Sequence, residues 1–131
     1  MGLVKKLSLF CTGGLGYVGL ELLWRGRSHS SMFLAGGSSF MLLGRLGKVT
    51  GRPVLRALGG AGIITGVELA AGLLFNRHHD IWDYRRLPYN VKGQICLPYS
   101  LLWVSVGQLG MWIYGAIDRV FPEKPQKTLD K

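Results

Sequence analysis

Four long apolar stretches, residues 7–24, 30–46, 54–75 and 94–117, alternate along the chain with short segments that hold nearly every charge. Residues 7–20 and 57–67 carry no charged side chain at all. A helix on the surface of a soluble bundle instead shows polar positions every third or fourth residue. The pattern predicts an all-α fold, an integral membrane bundle of four transmembrane helices. Residues 1–120 would form the membrane domain and 121–131 a polar cytoplasmic tail. The second stretch is the ambiguous one, because its wholly apolar part, Met32 to Gly44, has 13 residues, short of the roughly 20 a crossing needs. Extended from Ser30 to Leu46 it reads as a short crossing or as a re-entrant helix.

The third stretch opens after Pro53, a residue suited to a first helical turn. It carries Gly62, Gly66 and Ala70 at four-residue spacing, which predicts a helix-packing seam to this chain or to another copy. The polar segment 76–93 is long for so small a chain, and its Trp82, Tyr84 and Tyr89 predict an external loop lying at the membrane interface. Pro98, four residues into the last stretch, predicts a kinked start to that span. Gln94 and Gln108 would share one of its faces, turned toward protein.

Composition supports this picture: 48% of the 131 residues are hydrophobic and 20 are glycine, more than a small soluble domain uses. The net charge of +9 is carried by residues at helix ends and not by one element with interleaved aromatics, so no nucleic-acid partner is predicted. Lys5, Lys6, Arg45, Lys48, Arg52, Arg56, Arg119, Lys124, Lys127 and Lys131 would lie on one side. Arg25, Arg27, Arg77, Arg85, Arg86 and Lys92 would lie on the other. The positive-inside rule then places both termini in the cytoplasm. The N-terminal apolar run continues to Trp24 without a small-residue cleavage site, so it reads as an uncleaved span. Cys11 and Cys96 fall at different depths, which predicts two free thiols and no disulfide.

Glu21 and Glu68 stand inside apolar stretches, where an ionisable group costs roughly 2.5–3.5 kcal/mol on insertion scales. Helical rise places both in the outer half of the membrane. They would form a proton- or cation-binding pair there, with Glu68 as the titrating group and Gln94 completing the site. On the plainer reading Glu21 pairs with Arg25, one turn along the same helix face, and Glu68 is a hydrogen-bonded packing residue. Arg85 or Asn90 would contact a ligand from the loop, and Asp83 with Tyr84 would present a polar surface to a ligand or a partner. His29, His78, His79 and Asp80 are metal-ligating types, but adjacent loop histidines point in different directions and no metal site is predicted. No cofactor motif appears. No nucleophile–base pair at useful spacing appears either, so the chain is not predicted to be an enzyme.

Two blocks carry a family resemblance. The first runs through Gly16-Tyr17, Glu21 to Gly26, Ser28-His29 and Ser31 to Leu34. The second runs through Trp82-Asp83-Tyr84, Leu87 to Asn90, Gly93 to Ser100 and Leu101-Leu102-Trp103. The tail contributes Glu123-Lys124-Pro125. Together these residues resemble the small bacterial membrane proteins of the Putative ABC-transporter type IV family. Arg85-Arg86 departs from the small or polar residues of that family. The resemblance implies a polytopic protein of the bacterial inner membrane and a permease-like role in transport. The chain has no glycine-rich phosphate loop ending in Lys-Ser/Thr, so any ATP hydrolysis would belong to a separate ATPase subunit. Enclosing a path with so few spans would call for a homo-oligomer. The expected function is a transporter or channel-like subunit embedded in the lipid bilayer, with a site built from Glu21, Arg25, His29, Glu68, Asp83, Tyr84, Asn90 and Gln94. The alternative is an accessory protein docking a partner protein or lipid headgroup through its external loops.

Overall fold

The computed structural model describes residues 2–121 as four helices in chain order. They are α1 (Leu3–Arg25), α2 (Ser30–Val49), α3 (Pro53–Phe75) and α4 (Leu97–Val120). Among the described residues there is no strand, and one isolated bridge, Val91 to Ile95, ties the long loop. α1, α3 and α4 are each long and apolar enough to cross a membrane, which makes the chain a multi-pass membrane protein by length and composition. The predicted tail after Phe121 lies outside the described residues.

Local chemistry sets the helix ends. α1 stops at Gly26, whose φ of 75° is left-handed and whose N–H bonds back to Leu22 O, a conformation that suits glycine at a C-cap. α2 starts where the His29 side chain accepts the Ser31 N–H. Pro53 opens α3 in its first turn. α4 differs from the expected span. It begins at Leu97, not Gln94, and Pro98 falls in its first turn, where a missing N–H leaves no helical bond broken. The proline starts a helix here and does not kink one.

α2 is the centre of the bundle and packs against α1, α3 and α4. Its 20 residues span about 30 Å. It buries Met32, Ala35, Gly36, Phe40 and Leu43 against protein, which explains its weaker hydropathy, since a helix wrapped by other helices meets little lipid. Glycines bring the backbones together: a Cβ on Gly13 would strike Phe40, and one on Gly107 would sit 3.3 Å from the Gly60 carbonyl carbon. On the outside, Leu23, Leu58, Leu101 and Trp112 are exposed and form the apolar coat a bilayer solvates. Lys5 Nζ donates to Asp118 Oδ1 at 2.5 Å, and Lys48 Nζ lies 3.4 Å from Asp118 Oδ2. These contacts gather the start of α1 and the ends of α2 and α4 at one end of the bundle. The long loop 76–96 covers the other end.

Candidate functional site

The long loop is folded on itself around Asn76, which is 1% exposed. Its Nδ2 donates to Trp82 O at 2.7 Å and to Gln94 Oε1 at 3.0 Å, and its Oδ1 accepts the Ile81 N–H at 2.8 Å. Gln94 Nε2 returns a bond to Asn76 O at 2.8 Å, and Trp82 Nε1 donates to Gln94 O at 2.9 Å. Buried polar groups satisfied in this reciprocal way rigidify a segment. Gly72 provides the floor, because a Cβ there would meet Gln94 Oε1.

That knot aims Tyr84 into the helices, where it is 3% exposed. Its hydroxyl donates to Glu68 Oε2 at 2.7 Å and accepts from Arg25 Nη2 at 3.0 Å. Arg25 Nε in turn lies 3.4 Å from Glu21 Oε2. On the far side of Glu68, Trp103 Nε1 donates to Oε1 at 3.2 Å. The Tyr84 ring stacks on Tyr99 with centroids 4.8 Å apart, and Trp24 Nε1 donates to the Tyr99 hydroxyl at 3.0 Å. Burial first, then the Glu68 charge and hydrogen bond, push the Tyr84 hydroxyl far above the ordinary tyrosine range, so it holds its proton as a donor. Two carboxylates and one guanidinium thus meet beneath the loop. Below them an apolar cavity of about 300 Å³ opens between the helices, with Glu68, Tyr17, Phe40, Ile64 and Ile113 among its walls.

Of the residues singled out in the sequence, Glu21, Arg25, Glu68 and Tyr84 are brought together. Gln94 stands apart in the loop knot, with its amide committed to Asn76. Asn90 clips the loop, its Nδ2 donating to Leu87 O at 2.9 Å and its Oδ1 accepting the Gly93 N–H at 3.1 Å. Asp83 faces outward and holds Arg85 through bonds of 2.8 and 2.7 Å, which keep its carboxyl well below the usual carboxylate range. His29 caps α2. Gly62, Gly66 and Ala70 lie on the exposed face of α3, and a Cβ on either glycine meets nothing within 4 Å. They form no seam with the other described residues. Cys11 and Cys96 are free, and burial raises the Cys96 thiol above its ordinary value. Among the described residues no group of three or more His, Cys, Asp or Glu is placed to hold a metal.

Sequence reading passed over Asn76 and gave Trp103 no role in the site. Asn76 looks like the first residue of a polar loop, and its one signal is its place directly after an apolar run. Trp103 lies 35 positions from Glu68, beyond the reach of any local spacing rule.

With this geometry in place, comparison with known proteins is decisive at the level of family. The family model described as Putative ABC-transporter type IV matches residues 28–130. The chain belongs to that family. The match takes in α2, α3, the long loop and α4, hence Glu68, Tyr84 and Trp103, while Glu21 and Arg25 precede it. No curated protein and no solved structure matches the chain.

Proposed function

We propose that this chain is a non-catalytic membrane subunit of an ABC-type transport system, with a proton- or cation-binding site at Glu68 beneath the 76–96 loop. The observation that carries this reading is the arrangement of charge. The ion pair of Arg25 runs to Glu21, whereas Glu68, 5% exposed, receives neutral donors from Tyr84 and Trp103. With all three groups ionised, one negative charge is left over in a low-dielectric setting, where an uncompensated charge is expensive. A proton or a monovalent cation neutralises it. The family name supports the transport setting and allows for a separate ATPase partner.

In this reading α2 is the fourth crossing and both termini face the cytoplasm across the bacterial inner membrane, as the excess of basic residues at that end favours. The exposed Gly62, Gly66 and Ala70 face would be available to a second copy. The test is complementation of a deletion strain by Glu68→Gln and Glu21→Gln proteins inserted at normal levels. Loss of the wild-type phenotype with either variant, and with it of any co-purifying ATPase activity stimulated by transport, is expected. Full complementation by both would sink the proposal.

A further inference from the structure

The second cavity lies at the opposite end of the bundle, between the ends of α2 and α4 and the start of α3, with a volume of about 500 Å³. Glycines make its room: Gly44, Gly47 and Gly115 line it where side chains would fill it. Its charged walls are Lys48, Arg56, Arg119 and Asp118, and Lys5 reaches the same carboxylate. Asp118 is the only acidic residue at this end among the described residues. Three cations, Lys48, Arg56 and Arg119, therefore line the cavity beside one carboxylate, an excess of two positive charges, and Lys5 contacts that same carboxylate.

Several of these groups are already held in place. Arg56 donates through Nε to Thr50 O at 2.8 Å and through Nη2 to Gly47 O at 2.6 Å, so its guanidinium is fixed in place, and a guanidinium carries five N–H donors in all. Lys48 sits over the Tyr114 ring at 5.6 Å and shares Asp118 with Lys5. Arg119 is exposed at the rim, and Trp112, which also lines the cavity, is 66% exposed. A preset cationic pocket between helices, opening beside an outward tryptophan, matches a phosphate group attached to an apolar body. Arginine forks complement phosphate oxygens, and basic pockets between membrane helices take anionic headgroups.

We infer that this cavity binds the phosphodiester headgroup of an anionic membrane lipid. The site is separate from the Glu68 cluster and stands whether or not that cluster carries an ion.

The experiment is native mass spectrometry of the full chain in detergent, titrated with phosphatidylglycerol or phosphatidylcholine. One bound phosphatidylglycerol per chain is expected, favoured by about tenfold over phosphatidylcholine, with the preference falling as salt rises. The Lys48→Gln/Arg119→Gln double variant alters two exposed side chains, and helicity by circular dichroism checks that it folds. It should bring the two lipids to parity, while Arg27→Gln/Arg86→Gln at the other end leaves the preference intact. Equal retention of both lipids by the wild type overturns the inference, as does loss of the preference in the Arg27/Arg86 variant. Displacement of phosphatidylglycerol by an equal concentration of inorganic phosphate would identify the occupant as a free anion and overturn the lipid assignment.

Discussion

Tyr84 reaches Glu68 at 2.7 Å from a loop residue 16 positions further along the chain, and the same hydroxyl accepts from Arg25 at 3.0 Å. One oxygen atom therefore joins α1, α3 and the loop. Tyr84→Phe keeps the ring and its stack on Tyr99 but leaves Glu68 with the Trp103 bond alone. A buried acceptor left short of a donor costs about 1–3 kcal/mol. Unfolding in mixed micelles should show a loss of that size, and a change within about 0.5 kcal/mol would mean the bridge is not formed.

The proton on Tyr84 also has a pH signature. Its folded value is raised, so its contribution to stability is complete below the ordinary tyrosine value near 10 and is lost progressively as pH climbs from there to the higher folded value. Absorbance at the phenolate band should therefore change by the same amount around pH 10 in wild type and in Tyr84→Phe. A smaller amplitude in the variant would show that Tyr84 titrates like an exposed tyrosine.

Glycines 72 and 66 should separate internal packing from the outer face. Gly72→Ala drives a Cβ into Gln94 Oε1, and overpacking of this kind costs roughly 1–3 kcal/mol. Trypsin should then cut at Arg77, Arg85 or Arg86 faster than in wild type. Gly66→Ala meets nothing within 4 Å and gains helix propensity, so the monomer should be as stable or up to about 1 kcal/mol more so. Comparable cleavage of both variants would contradict the placement of Gly72 beneath the loop.

Topology gives the fourth expectation. Lys48 lies near the end of α2 and Arg77 just past the end of α3, at opposite ends of the bundle. Reporter fusions at the two positions should report opposite sides of the membrane, with a fusion at Arg27 matching Arg77. A fusion at Arg27 matching Lys48 would make α2 re-entrant.

The four apolar stretches were legible because hydropathy records lipid contact, and α1, α3 and α4 are coated by lipid-facing leucines. α2 was ambiguous for the same reason, being wrapped by protein. Glu21 and Arg25 share a helix face at a four-residue spacing, which sequence can read. Their link to Glu68 runs through Tyr84, whose position depends on the Asn76–Gln94 knot, and no periodicity encodes a loop that folds on itself. Gln94 illustrates the limit. A polar residue at the edge of an apolar run fits the last loop position as well as the first helical one, and Pro98 in the first turn of α4 decides for the loop.

The loop's hold on Glu68 has a reciprocal side. If a proton or cation on Glu68 weakens the Tyr84 bond, then withdrawal of Tyr84 must alter affinity for that ion by the same factor, since linked equilibria share one coupling free energy. Lifting the loop would also leave Arg25 without its second partner, free to turn toward either carboxylate. Opening of the cover and occupancy of the buried carboxylate would then be coupled equilibria, and on the proposed function a ligand or partner that grips the loop from outside would shift ion binding at Glu68 without touching it.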